Sequence, residues 1–259
     1  MREKIRNHKI HGQARQVFES LPPFLVVLVA WALLTYTGAI ASVFLPTPTQ
    51  VLASFLTLAT GEFLLNHLLP STLRITGAFL LSVAIAFPLG VLSGQVPRVE
   101  KLIQPLFGFT RYLPVASLVP LCILWFGVGD AQKVAVITIG VVFQLVLLLA
   151  YDSASVPKEL IEAGGTFGLN RSAILRRIVV PAAMPAIWDH LRIAAGWAWS
   201  YLVLAELVAG NKGVGYFVVQ SQRYLQTDQV FAGILFIGIL GVITDLLFRL
   251  SAQRLFRWQ

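Results

Sequence analysis

Long apolar stretches separated by short polar segments dominate the pattern of residues along this chain. A helix needs roughly 20 mostly apolar residues to cross the hydrocarbon core of a bilayer. Six stretches approach that length, and they predict transmembrane helices at residues 24–43, 73–93, 102–126, 134–150, 182–209 and 230–250. The pattern therefore predicts an all-α membrane protein with six transmembrane helices in a single transmembrane domain, residues 1–259.

Composition supports a membrane location. Hydrophobic residues make up 57% of the chain and charged residues only 12%, whereas soluble domains carry roughly 25% charged residues. The net charge of +8 is spread between the apolar stretches and forms no single basic patch. We therefore expect this chain to lie in the lipid bilayer and to bind no nucleic acid.

The distribution of basic residues predicts the orientation. Cytoplasmic segments of membrane proteins carry an excess of Lys and Arg. With a cytoplasmic N-terminus, most basic residues of this chain fall on the cytoplasmic side, and the external segments hold only Lys133, Lys212 and Arg223. The sequence thus predicts that both termini are cytoplasmic.

Three segments between the predicted spans are more than tight turns. Residues 45–70 are expected to be external and to contain a short interfacial helix, because their apolar residues fall near helical spacing. Residues 206–228 are also external and contain Gly210, Gly213 and Gly215. Residues 151–181 form the one sizeable cytoplasmic loop.

The cytoplasmic loop has the signals of two short helices. Pro157 suits a helix start, Gly168 suits the left-handed turn at a helix end, and Asn170 is a good N-cap for a second helix. The consecutive small residues Ala163, Gly164 and Gly165 predict a face of the first helix with little side-chain bulk, open to a close approach by another protein.

This loop resembles a known motif. Glu162-Ala163-Gly164, then Gly168, Ile178 and Pro181, match the EAA loop of binding-protein-dependent ABC import permeases, with Gly164 where that family usually has alanine. The resemblance implies that the loop is a coupling helix that docks on a cytoplasmic ATPase. Glu162 would contact that ATPase; the alternative is a plain charge in the first turn of an exposed helix.

The resemblance covers nearly the whole chain. Its motifs look like the nitrate, sulfonate, taurine and bicarbonate branch of these permeases; they are Leu45-Pro46-Thr47-Pro48, Tyr112-Leu113-Pro114-Val115, Leu124-Trp125-Phe126-Gly127, Gly213-Val214-Gly215-Tyr216 and Val230-Phe231-Ala232-Gly233-Ile234. The resemblance implies a type I ABC importer fold in the bacterial cytoplasmic (inner) membrane. It also implies a second copy of this chain, two ATPases that hold ATP and Mg, and an external solute-binding protein.

Four polar or aromatic residues within the spans are candidates for a translocation path. Gln144 either bonds a neighbouring helix or faces a polar cavity. Arg192 could meet an anionic solute, pair with a carboxylate or line a vestibule. Trp197 is expected in core packing or a cavity wall, and Arg111 is more simply read as a snorkelling side chain.

The external Gly-rich segment is the candidate gate and the candidate contact with the binding protein, through Gly213, Gly215 and Glu206. Glu206 is equally explained as a charge at a helix end. Arg74 lies near the external end of its span, where interfacial anchoring is expected. Asp245 and Arg249 are four residues apart, which favours a local ion pair.

Other chemistry finds no support. The chain has no Gly-x-x-x-x-Gly-Lys-Ser/Thr phosphate loop, so we expect no ATPase site of its own, no catalytic residues and no cofactor. With one cysteine, Cys122, and scattered histidines, we expect no metal site. The alternatives to an anion importer are a permease of the same fold for a neutral small heterocycle and, from another class, a passive channel or a membrane-embedded enzyme.

Overall fold

The computed structural model describes residues 22–208 and 210–256, and every regular element within them is helical. We number the helices in chain order. They are α1 Pro22–Tyr36, α2 Pro48–Leu58, α3 Gly61–Gln95, α4 Pro97–Thr110, α5 Val115–Phe126, α6 Asp130–Ala154, α7 Lys158–Thr166, α8 Arg171–Val208, α9 Val214–Arg223 and α10 Thr227–Leu255. The expectation of an all-α fold is confirmed for this part of the chain.

Four of these helices, α3, α6, α8 and α10, are long and apolar enough to cross a membrane. They correspond to the predicted spans 73–93, 134–150, 182–209 and 230–250. The predicted span 24–43 is represented by α1, which ends at Tyr36 and is shorter than a span within the described residues. The predicted cytoplasmic location of both termini concerns residues 1–21 and 257–259, which lie outside the described part of the chain.

The predicted span 102–126, which Pro105, Pro114 and Pro120 interrupt in the sequence, is not a single straight helix. It is divided into α4 and α5, whose axes differ by 100° across residues 111–114. Pro114 precedes α5 in an extended conformation, and a proline disfavours helical geometry in the residue before it. Pro105 and Pro120 lie inside α4 and α5 without ending them. With the bent pair counted as one span, the described residues contain five candidate spans.

The second half of the cytoplasmic loop is also different from the prediction. The short helix predicted after Asn170 does not end before the fifth span, because α8 continues from Arg171 to Val208. A π-helical turn at Leu175–Val179 lies just before Pro181. Such turns widen a helix locally and accommodate a residue that cannot donate a backbone hydrogen bond.

Helices α3 and α6 form the centre of the fold. At Gly90, an added Cβ would lie 2.6 Å from Leu149 Cβ and 3.0 Å from Val146 O, and at Gly94 it would overlap Ala150 O. The two backbones are therefore in direct contact, as small residues allow between membrane helices. Gln95 Nε2 donates to Ser153 O at 2.5 Å and fixes the ends of both helices together.

Helices α8 and α10 complete the core. Gln144 on α6 donates to the Tyr201 hydroxyl on α8 at 2.9 Å, and His190 Nδ1 lies 2.6 Å from the buried Asp152 carboxylate. The Trp188 indole donates to Phe248 O on α10 at 3.1 Å. These polar contacts join α6 to α8 and α8 to α10 at partly buried positions.

The helix expected in residues 45–70 is present as α2. Thr47 and Gln50 form a reciprocal cap at its start, which satisfies backbone groups that would otherwise lack partners. Its inner face packs on α10, where the rings of Phe55 and Phe236 stack at 4.3 Å. The Ser54 hydroxyl also donates to Asp228 at the start of α10.

The contact between α3 and α6 gives a first prediction. Gly94→Ala places a methyl group against the backbone of α6, and we expect it to lower the free energy of unfolding by about 1–3 kcal/mol, as overpacking does. Gly77→Ala in the same helix meets no atom within 4 Å and is the matched control, expected to change stability by less than about 1 kcal/mol. Denaturation in mixed detergent micelles measures both; equal stabilities of the two variants would contradict the close contact.

Candidate functional site

A buried ion pair between Arg74 and Glu206 lies at one end of the helical core. Arg74 Nη1 is 2.7 Å from Glu206 Oε1, and the two side chains are 7% and 0% exposed. Arg74 is on α3 and Glu206 is near the end of α8. The prediction that Arg74 is an interfacial anchor is therefore wrong, because its guanidinium is directed into the protein and paired there.

Further polar groups surround this pair. Arg74 Nε donates to Asp130 Oδ1 at 2.7 Å, at the first residue of α6, and Nη1 also donates to Lys212 O at 2.9 Å. Ser71 donates to Glu206 at 2.7 Å. Lys133, which the sequence placed in an external segment, belongs to the first turns of α6 and is only 1% exposed. The charges thus join α3, α6 and α8 at one point.

The Gly-rich loop, residues 210–215, is folded around the Glu206 carboxylate. Gly215 N donates to Glu206 Oε2 at 2.8 Å, and Val214 N donates to Ser71 Oγ at 2.9 Å. Gly213 has φ +122°, and a Cβ there would overlap the Glu206 carboxylate. Glycine is therefore required at 213 both by the backbone conformation and by the space available.

This geometry defines what the three predicted gate residues do. Gly213, Gly215 and Glu206 are all buried, so in this conformation Glu206 supports the loop from beneath. The exposed part of the loop is Asn211 and Lys212. Any protein that docks here meets those two residues and the backbone that Glu206 positions.

The loop that the sequence predicts to be a coupling loop, residues 151–181, lies at the other end of α8. Gly168 has φ +75° and ends α7, and Asn170 caps α8 by accepting a hydrogen bond from Ala173 N at 2.9 Å. Both roles agree with the sequence prediction. The resulting corner is sharp, and it places α7 against the first turns of α8.

Of the three small residues predicted to form an open face of α7, Ala163 and Gly165 are exposed but Gly164 is not. Gly164 is buried, and a Cβ there would overlap Ile178 Cδ1 and lie 3.3 Å from Ile174 Cγ1. Two residues of the motif, Gly164 and Ile178, therefore pack on each other. The motif usually has alanine at position 164. Alanine is also accommodated there, because the terminal methyl group of Ile178 can rotate away from the added Cβ.

The part of α7 that does not pack on α8 is exposed. Glu162 and Ala163 are exposed there, as are Leu160, at 46%, and Phe167, at 84%, just after the helix ends. Pro181 is exposed on α8. Sequence reasoning missed Phe167, although an aromatic residue in a polar loop next to the motif is the signal that could have identified it. An exposed aromatic residue suits a protein interface.

The four candidates for a translocation path are dispersed. Gln144 donates a hydrogen bond to Tyr201 on the neighbouring helix α8, which is one of the two roles predicted for it. Arg192 lies 3.5 Å from Asp189 and 3.6 Å from Asp245, and the predicted pair of Asp245 and Arg249 is present at 2.7 Å.

Trp197 is half-buried against the main core. Arg111 is exposed at the bend between α4 and α5, with its guanidinium over the Tyr112 ring. No hydrogen bond or ion pair joins any two of Gln144, Arg192, Trp197 and Arg111, all of which are described.

These features define an integral membrane protein with a structured loop at each end of one long helix. The family described as "Binding-protein-dependent transport system inner membrane component" matches residues 86–257. The chain belongs to this family of ABC importer permeases, which are the transmembrane subunits of their transport systems.

Relatives match over most of their length. A probable ABC transporter permease protein of Brucella abortus (strain 2308) is 35% identical, over 93% of this chain and 95% of the relative. The taurine transport system permease protein TauC of Escherichia coli (strain K12) is 32% identical, over 97% and 96%. The putative aliphatic sulfonates transport permease protein SsuC of Bacillus subtilis (strain 168) is 30% identical, over 90% and 85%.

Among solved structures, the fold is similar to a chain of the MetNI methionine ABC transporter in an inward facing conformation. The TM-score is 0.62 at 18% identity, covering 74% of this chain and 93% of that chain. The type I importer permease fold implied by the sequence is thereby confirmed.

The buried ion pair generates a prediction on stability. Arg74→Met leaves the Glu206 carboxylate buried without its cation, and we expect a loss of about 3–5 kcal/mol in the free energy of unfolding. The matched control is Arg249→Met, which breaks the more exposed pair with Asp245 and should cost less than about 1 kcal/mol. In a double-mutant cycle with Glu206→Met, the coupling energy should reach about 2 kcal/mol. Additive losses would contradict a direct interaction.

The inward face of α7 generates a third prediction. Gly164→Leu cannot be placed without displacing Ile178 and Ile174, so we expect α7 to detach from α8 and its amides to exchange faster with solvent. Gly165→Leu is the control for the change in helix propensity, since a Cβ added at Gly165 would meet no atom within 4 Å. Hydrogen exchange of residues 158–166 measures the effect, and equal exchange in both variants would show that Gly164 does not face α8.

Proposed function

We propose that this chain is the membrane-spanning subunit of an ATP-driven importer for a small anion of the sulfonate or taurine type. Two copies would form the permease, and ATP and Mg would be bound by two separate cytoplasmic ATPase subunits. A solute-binding protein would deliver the solute on the opposite side. The observation that carries the proposal is α7, a short helix fixed to the core by one face and exposed on the other.

The docking surface for the ATPase is the exposed face of α7. Glu162 supplies a charge, and Phe167 and Leu160 supply apolar area that folding leaves uncovered. Because Gly164 packs directly on Ile178, a displacement of α7 by the ATPase is transmitted to α8 without a flexible segment between them. In this arrangement the protein lies in the bacterial inner membrane. The coupling loop and both termini are on its cytoplasmic side.

Helix α8 carries that displacement across the membrane. It contains 38 residues without a break, which is about 57 Å at 1.5 Å per residue. Its far end carries Glu206, the residue that holds the Gly-rich loop. A movement at the cytoplasmic end therefore shifts the support of the external loop, and the loop opens or closes the external end of the pathway.

The solute class is supported by the relatives rather than by the arginines within the spans. Arg74 is committed to Glu206 and Asp130, and Arg192 is shared between Asp189 and Asp245. Both arginines therefore already have carboxylate neighbours, although Arg192 Nε forms no hydrogen bond. Relatives named as taurine and aliphatic sulfonates permeases are 32% and 30% identical to this chain. This similarity favours a sulfonate as the solute over nitrate and bicarbonate.

Uptake into vesicles tests the proposal. With the cognate ATPase and binding protein present, we expect ATP-dependent accumulation of taurine or ethanesulfonate, and we expect Glu162→Lys to abolish it by reversing the charge at the docking surface. Glu100→Lys is the control, since Glu100 is an exposed carboxylate near the same end of the core. Normal uptake by a fully inserted Glu162→Lys variant would refute the coupling role, and uptake without the ATPase would favour a passive channel.

A further inference from the structure

A polar cavity lies beside the Gly-rich loop and is distinct from the dispersed candidates for the translocation path. We call it the loop cavity. It has a volume of about 680 Å³ and lies between the start of α6, the end of α8, the Gly-rich loop and α9. Its polar lining includes Asp130, Lys133, Asn211, Tyr216, Gln220 and Arg223.

Lys133 is the most unusual member of this lining. The residue is only 1% exposed, and it forms part of the cavity wall. Its only ionic contact among the described residues is with Asp130 Oδ1 at 3.8 Å, beyond the range of a hydrogen bond. The same oxygen already accepts a hydrogen bond from Arg74 Nε at 2.7 Å. The Lys133 ammonium therefore has no hydrogen bond to any described residue, and it borders the cavity.

Arg223 adds a second cation at the end of α9. It forms no ion pair within the described residues, and its side chain also lines the cavity. The cavity is thus lined by these two cations and by Asp130, whose carboxylate is engaged by Arg74. Lys133 is also attracted electrostatically by Glu206. The amides of Asn211 and Gln220 and the hydroxyl of Tyr216 provide neutral donors on the remaining walls.

We propose that the loop cavity binds a small organic oxyanion, with Lys133 and Arg223 at its charged end. The inference rests on the proposed import function and names a place where the solute is held. A volume of about 680 Å³ is typical of sites for organic ligands and far exceeds a bare inorganic ion. Val128, Leu207 and Val219 supply apolar wall for a short hydrocarbon portion, so an aliphatic sulfonate fits better than nitrate or bicarbonate.

The position of the cavity links binding to the gate. Gly210 and Asn211 of the Gly-rich loop line it, while Gly215 of the same loop is held by Glu206. Movement of this loop therefore changes the shape of the cavity. A solute that leaves the binding protein would be held here, at the external end of the permease, before it moves further along the pathway.

Binding to the complex of this chain with its ATPases, in lipid nanodiscs and without the binding protein, tests the proposal. The probe is ethanesulfonate, and its neutral isostere ethyl methyl sulfone is the ligand control. We expect saturable binding of ethanesulfonate by calorimetry, weakened at least about tenfold by Lys133→Met and by Arg223→Gln, with no binding of the sulfone. Lys101→Met, a change at an exposed lysine on α4, should leave binding unaltered.

The outcomes separate the two proposals. If the unaltered complex binds no ethanesulfonate, or if both variants bind it as the unaltered complex does, the loop cavity is not a solute site, even where uptake into vesicles is normal. If the unaltered complex with its binding protein takes up no sulfonate, the import function fails whatever the binding result. Arg223 is exposed, so its variant is expected to fold and keeps the test decisive if Lys133→Met proves unstable.

Discussion

Helices α3 and α6 touch along their backbones, because Gly90 and Gly94 leave no side chain between them. This contact sets the position of both ends of the core. At one end Arg74 of α3 meets Asp130 at the start of α6, and at the other Gln95 meets Ser153 near the end of α6. The charge cluster that holds the Gly-rich loop and the base of the coupling loop are therefore mounted on the same pair of helices.

Helix α8 connects these two ends. It begins at the coupling-loop corner, where Gly164 of α7 packs on Ile178, and it ends beside the Gly-rich loop, where Glu206 is surrounded by Arg74, Ser71 and Gly215 N. Charges buried this deeply are stable only with complete partners. The Gly-rich loop consequently cannot move far unless the group that supports it moves or the cluster opens. In the proposed function, Glu206 is therefore the link between α8 and the gate.

The local parts of this arrangement could be predicted from sequence. Hydropathy located the main spans, and Gly168 and Asn170 marked the corner of the coupling loop because helix ends depend on a few neighbouring residues. The partners could not be predicted. Arg74 and Glu206 are far apart in the chain, so nothing local distinguishes a buried pair from two residues at helix ends. In the same way, the small residues 163–165 predicted a close contact with another protein, whereas Gly164 packs on α8.

The central claim is that the coupling end and the gate end of one chain move as a unit. A pulsed-EPR distance between labels at Leu73 and Tyr151, both exposed, tests it directly, with Cys122 replaced and only one of the two copies labelled. The account predicts the same distance within the chain in the ATP-free and ATP-bound complexes, while distances between the two copies change. A shift within the chain of about 5 Å, one helical turn, would contradict it.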